Sequence, residues 1–199
     1  LCNRSFLQSS SRALHQHCQI MQPTLMNAGS VAKLAKDYDW VVDCRGAGAI
    51  GDAQRDTASP TLRGIRGEVI RVRCTDVTLE RPVRIVHPRA SIYIVPKPNH
   101  EFVIGATEVE SHSDHAITLR STLELLSTAY AAHSGFAEAE VLEMNTGIRA
   151  AYPDHAPKIS CHQNLLSING LYRHGWLVGP AITEQAINLI TGNAHASIH

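Results

Sequence analysis

DWVVDCRGAGAIG (residues 39–51) sets an apolar run directly against a G-x-G-x-x-G spacing formed by Gly46, Gly48 and Gly51. Such a stretch opens a dinucleotide-binding βαβ unit only under two conditions. A helix must start on the loop, and an acidic residue must close the next strand ~20 residues further on. The strand is present: Val41 and Val42 centre a continuous apolar run of the kind buried on both faces. The helix is not. DAQRDTASPTLRG (52–64) carries four charges, a proline and no apolar periodicity, and the acid in range, Asp76, follows a strand of another type. The glycines therefore imitate the fingerprint. Small residues at the end of a strand still need a reason. Either the backbone packs closely against a neighbouring helix, or it approaches a ligand lying across the sheet's C-terminal edge.

Downstream the character of the chain changes. GEVIRVR (67–73), VRIVH (83–87), SIYIVP (91–96) and EFVIGA (101–106) are short, β-branched and separated by turns, with KPNH (97–100) as a hairpin connection. These predict an antiparallel sheet. STLELLSTAYAAH (121–133) reads as a helix opened by a Ser121-x-x-Glu124 capping box, with Leu123, Leu126 and Tyr130 at helical spacing. AEVLEMNTGIRAA (139–151) predicts a return strand. GPAITEQAINLITGN predicts a last helix with Pro180 as its first residue and Gly192 just past its end. Upstream, residues 4–17 predict a helix with Phe6, Leu7 and Leu14 as a sparse apolar face. QIM (19–21) predicts a short strand, and Pro23 followed by NAGS (27–30) a loop, as does the segment holding Gly51, Asp52, Asp56, Ser59 and Pro60. Mixed α/β pieces at both ends thus flank an antiparallel middle, the pattern of one domain inserted into another.

Composition bounds the function. Lys plus Arg and Asp plus Glu both number 18, so no basic stripe points to nucleic acid. No run of 18 apolar residues predicts a membrane span. The five cysteines are widely spaced and form no C-x-x-C, which fits a reducing, cytoplasmic setting. HQHC (15–18) reads as a solvated helix end in preference to a metal site, and no metal is expected. The N-terminus has neither an initiator Met nor the apolar core of a signal peptide, and reads as a chain entered in its middle.

Two arginines sit where burial is expected: Arg149 in NTGIRAAYPDHAP (145–157) and Arg173 in INGLYRHGWLVGP (168–180). A buried guanidinium needs a partner, either an internal carboxylate such as Asp154 or Glu184, or an anionic ligand. Gly175-x-x-x-Gly179-Pro180 could deliver free N–H groups at a helix N-terminus to an anion, or could simply be an economical loop. Tyr93, opposite in phase to Ile92 and Ile94, is either a core aromatic or a pocket wall.

The same residues carry a family resemblance. YDWVVDCRGAGA, LRGIRGEVIRV, RPVRIVHPRASIYIVPKPN, FVIGATEVES, RSTLELLSTAY, GIRAAYPDHAPKI and INGLYRHGWLVGPAI, in that order from about residue 3 to 190, resemble the C-terminal part of the bacterial glycine oxidases. These are FAD-dependent members of the D-amino-acid oxidase family, used in thiamine biosynthesis. The resemblance implies a two-domain α/β (α+β) protein: an incomplete Rossmann-like FAD-binding domain with an inserted substrate domain of antiparallel sheet plus helix. Residues 1–64 and 147–199 would belong to the flavin domain, and residues 65–146 to the substrate domain. It implies FAD as cofactor, a small amino acid or amine and O2 as substrates, and imine or glyoxylate, ammonia and H2O2 as products. It is compatible with a homo-oligomer. A D-amino-acid or N-methyl amine oxidase of the same family is the alternative, as is a non-catalytic fragment or subunit.

By the same resemblance, Arg149 clamps the substrate carboxylate, Tyr93 donates a second hydrogen bond to it, and Arg173 sits near the same anion and the flavin. Leu171, Tyr172, Arg173, His174, Gly175, Trp176 and Leu177 contact the flavin. The helix expected from Pro180 aims its dipole at the flavin's N1–C2=O edge, Gly46 and Gly48 pass beside FAD, and Met26 approximates an adenosine-side contact. No side chain is assigned as acid or base. Two departures stand out. Ala150 follows the arginine of GIR where the family often has proline. The family's own glycine-rich cradle and ribose-binding acid lie in an N-terminal nucleotide-binding half that this sequence does not include, so the 199 residues alone are expected to bind FAD poorly and to be inactive.

Overall fold

The computed structural model describes residues 3–22, 24–52, 61–87 and 90–192. Two sheets organise it. The larger is antiparallel and built on β2 (Arg63–Arg73), the longest strand but one. On one edge β2 pairs with β5 (Glu101–Gly105) and then with the two-residue β6 (Val109–Glu110); on the other it pairs along its whole length with β7 (Glu140–Ala151). β4 (Ala90–Lys97) joins β5, and β3 (Val83–His87) closes that side. The hairpin expected at KPNH turns through Asn99 and His100, both at positive φ.

Alternation decides the two faces of this sheet. Ile70, Val72, Ile92, Ile94, Phe102 and Ile104 point to one face and meet Leu125 and Ala129 of α3 (Leu119–Ala132) together with Phe136, forming the core. Tyr93, Gly105, Gly67 and Arg149 belong to the opposite face. The expected capping box is not what opens α3. Thr118 is the N-cap, its hydroxyl accepting from the Ser121 amide at 3.2 Å. Ser121 is buried one turn inside, where its hydroxyl accepts from the Thr118 hydroxyl at 2.9 Å and hydrogen-bonds Glu68. The helical stripe is shifted too. Leu125 and Ala129 face the core while Leu123 and Tyr130 are exposed, because the sheet covers only one side of α3.

The smaller sheet has the order β1–β9–β8, with β1 (Val41–Asp43) parallel to β9 (Leu165–Asn169) and β8 (Lys158–His162) antiparallel to it. β1 is shorter than its apolar run, and Val42 is exposed, so among the described residues the strand is not buried on both faces. QIM forms no strand. NAGS is not a loop: Asn27 caps α2 (Ala28–Leu34), accepting from the Ser30 amide at 2.9 Å. Asx residues favour loops and N-caps for the same reason, a side-chain oxygen within reach of nearby amides. Asp56, Ser59 and Pro60 lie outside the described residues, as does Pro23.

α1 (Asn3–His17) buries none of its own residues; Phe6 meets Trp176 edge-on, with ring centroids 5.1 Å apart, and Arg4 pairs with Glu143 of β7. The last helix, α4 (Gly175–Thr191), starts five residues before the expected Pro180 and ends where expected, on Gly192 at φ 72°. Pro180 lies in the second turn, where it has no N–H to give the Trp176 carbonyl. No helix among the described residues is long and apolar enough to cross a membrane.

Candidate functional site

The parallel pair β1–β9 ends in two adjacent loops. After β1, Gly46–Ala49 form a short 3₁₀ turn, not the long helix of a dinucleotide fingerprint. Gly46 takes φ +56° in open space, so glycine serves the turn's backbone there and not close packing against a helix. Arg45 ties the turn down. Its guanidinium donates to Asp43 at 2.9 and 2.8 Å, to Asp52 at 2.5 Å, and to the carbonyls of Met26 and Gly48 at 3.1 and 3.4 Å. Burial works against the Asp43 charge, but the Arg45 hydrogen bonds outweigh it and hold that carboxyl below its ordinary pKa. Met26, Gly46 and Gly48 therefore meet at one corner, and Arg45 is the residue that sequence reasoning passed over.

After β9, the buried Asn169 donates to the Gly46 carbonyl at 3.0 Å, joining the two loops. Gly170 follows at φ +77°, with the Tyr152 ring where a Cβ would stand. The chain from Leu171 to His174 then crosses to the large sheet, where the Tyr172 amide donates to the carbonyl of Ala150 at 3.2 Å. That bond seats Tyr172 and Arg173 beside Arg149. Tyr172 holds φ +48° and stacks on His155, also at positive φ, with ring centroids 4.7 Å apart. Left-handed backbone at two non-glycine residues is a cost that tertiary contacts must sustain.

The result is a cavity of about 600 Å³ between the two sheets, lined by Arg84, Tyr93, Glu108, Arg149, His155, Tyr172, Arg173 and His174. Tyr93, Arg149 and Arg173 thus share one space. Arg149 is half-buried, and among the described residues it has no carboxylate partner; neither Asp154 nor Glu184 reaches it. Its Nη1 donates to the Thr107 carbonyl at 3.3 Å. Burial pulls its pKa below the ordinary arginine value, and the nearby Arg173 pushes the same way, while Tyr93 and Glu108 oppose. Arg173 departs from expectation. It is substantially exposed, and its partner is Glu108, at 3.0 Å. Glu108 lies in the FVIGATEVES stretch but is not singled out there, because its partner sits 65 residues away in sequence.

The residues present fit a flavin. α4 begins here with no acidic side chain in its first turn and no side-chain cap on His174, a helix start suited to an electron-rich group. The Tyr172 hydroxyl is buried without a hydrogen-bond partner among the described residues. Trp176 and Leu177, on α4's first turn, are exposed apolar surface. The helix start is thus Gly175, not the Gly179–Pro180 segment, which is already helical.

Known proteins share this fold. The profile of the DAO family, FAD dependent oxidoreductase, matches residues 11–189. A Rhizobium etli protein named thiamine biosynthesis oxidoreductase ThiO is 47% identical over 167 residues, 83% of this chain and 49% of that protein. A protein named glycine oxidase from Geobacillus kaustophilus is 29% identical over 143 residues, 70% of this chain and 37% of its own length. Among solved structures, glycine oxidase from Bacillus cereus superposes with a TM-score of 0.68 at 27% identity, over 77% of this chain and 43% of that one. The chain thus spans about half the length, or less, of the relatives it matches.

Proposed function

The chain belongs to the FAD-dependent oxidoreductase family, and from that premise we propose that it carries the substrate site and part of the flavin site of an amino-acid oxidase acting on glycine or a similarly small amine. The proposed reaction is glycine + O2 + H2O → glyoxylate + NH3 + H2O2, with the imine as the species available to thiazole synthesis in thiamine biosynthesis. The observation that carries this reading is Arg149, a half-buried cation with no carboxylate partner among the described residues, in one cavity with Tyr93 and Arg173.

In this reading Arg149 binds the substrate carboxylate through charge-assisted hydrogen bonds, and the Tyr93 hydroxyl donates to the same anion. Arg173, restrained by Glu108, adds positive potential at the mouth. Leu171 to Leu177 would hold the flavin, with the start of α4 directing its amides at the pyrimidine edge; Met26, Gly46 and Gly48 lie on the nucleotide side. A bound flavin would supply the hydride acceptor for the substrate's α-carbon. The protein's share is orientation: a carboxylate fixed at Arg149 presents the α-carbon in one attitude, and no side chain is needed as base if the amine enters neutral. Residues 65–146 would act as the substrate domain and the flanking segments as flavin domain.

The test is direct. The complete gene product should purify with flavin absorbance and release peroxide when given glycine. A flavin-loaded protein that makes no peroxide from glycine, sarcosine or small D-amino acids sinks the proposal.

A further inference from the structure

Arg149 and Gly67 stand on neighbouring strands but not opposite each other. In the β2–β7 register Arg149 faces Ile65, and Gly67 faces Gly147. The arginine side chain runs diagonally, crosses β2 at Gly67, and reaches the Thr107 carbonyl on the far side. A Cβ at Gly67 would overlap three atoms of the Arg149 guanidinium almost equally, its central carbon and both terminal nitrogens. The guanidinium therefore lies face-on over the Gly67 backbone. Gly67 has no positive φ, so its lack of a side chain serves space and not backbone conformation. The glycine opposite is different: a Cβ at Gly147 would meet nothing within 4 Å.

Tyr93 repeats the device one strand further on. It pairs with Gly105 across β4–β5, and a Cβ at Gly105 would come within 3.0 Å of the Tyr93 hydroxyl and 2.7 Å of a Val69 methyl. The floor of the cavity is thus a sheet face from which two side chains are missing, beneath two groups that could hold an anion.

We propose that Gly67 is a positioning residue for the carboxylate site, the gap in β2 that lets the Arg149 guanidinium lie flat across the sheet with its remaining N–H donors free for the substrate. This rests on the reading of the cavity given above. Because the guanidinium is the mobile end of a long side chain, a methyl group at position 67 displaces the arginine and spares the backbone. The effect should fall on ligand binding and not on folding.

The experiment uses the complete flavoprotein and acetate, a carboxylate without an amine, titrated by calorimetry alongside glycine kinetics. Gly67→Ala should weaken acetate and raise KM for glycine tenfold or more, with the melting temperature held within a few degrees. Gly147→Ala should leave acetate affinity within twofold of the parent protein. In an Arg149→Lys background, where no guanidinium crosses β2, adding Gly67→Ala should change acetate affinity less than twofold, and this pair carries the test if the single variant does not fold. Undiminished acetate binding by Gly67→Ala, an equal loss in Gly147→Ala, or full additivity with Arg149→Lys overturns the inference alone. A parent protein that does not bind acetate at all overturns the carboxylate reading, and this inference with it.

Discussion

Arg173 and Glu108 meet at 3.0 Å in the wall of the cavity, whereas Arg149 and Arg84, in the same wall, have no carboxylate partner among the described residues. Glu108 also draws on Arg149 electrostatically from a distance. Replacing that negative charge by Glu108→Gln should therefore strengthen anion binding. At separations of several ångströms in a solvent-accessible site the gain is about 1 kcal/mol, roughly fivefold in acetate affinity. Raising the ionic strength should shrink the difference. Weaker acetate binding in Glu108→Gln would show that Glu108 helps by holding Arg173 in place.

Arg149→Ala removes the proposed clamp. Loss of charge-assisted hydrogen bonds of this kind costs about 3 kcal/mol, so KM for glycine should rise on the order of 100-fold. An amine without a carboxylate should be affected far less. Equal losses on both substrates would take Arg149 out of the carboxylate role.

Stability should depend on a buried ion pair on the core face of β2. Arg66 donates to Glu68 at 3.0 and 2.7 Å, and to the carbonyls of Ser113 and Ala116; Glu68 accepts in turn from the Thr118 amide and the Thr107 hydroxyl. Burial favours the neutral acid, but hydrogen bonds from Ser121, Arg66, Thr118 and Thr107 outweigh it and set the Glu68 pKa below its ordinary 4.5. A carboxyl depressed on folding contributes stability that is present above the unfolded value and lost as pH falls through the folded one. Glu68→Gln should cost about 3–5 kcal/mol in urea unfolding at neutral pH by stranding Arg66. The gap from the parent protein should narrow below pH 4.5. A gap that is constant from neutral to acid pH would assign the loss to packing.

The face of α3 gives a simpler contrast. Leu125 is wholly buried, while Leu123, two residues earlier, is 61% exposed. Leu125→Ala should destabilise by about 2–5 kcal/mol, and Leu123→Ala by about 0.5 kcal/mol or less. Thermal unfolding of both variants checks the orientation of the helix against the sheet.

Most strands were legible because alternation and turn chemistry are local. VRIVH coincides with β3, and SIYIVP and EFVIGA fall within one residue of β4 and β5. The helix starts were not legible to the same degree. Thr118 and Ser121 are both good capping residues, and only the side chain's actual partner separates them. Pro180 suits a first turn generally, so sequence alone could not say that Gly175 comes first. In the candidate site, Arg149 and Arg173 stood out as charges among apolar neighbours. Glu108 and Arg45 did not, since an ion pair across 65 residues or a guanidinium folded back on its own loop leaves no periodic trace.

The sequence by itself determined the antiparallel middle and the flanking α/β pieces. It also marked Gly46, Gly48 and Gly51 as an imitation of the dinucleotide fingerprint, and Gly46–Ala49 form a short 3₁₀ turn. Each depends on residues close in the chain, where steric preference and hydrophobic period act directly. Only the tertiary structure decided that Arg173 pairs with Glu108 while Arg149 has no carboxylate partner among the described residues, and that the Arg149 guanidinium lies over Gly67 of another strand. Those facts depend on which side chains converge across strands far apart in sequence, and convergence is a property of the packed sheet.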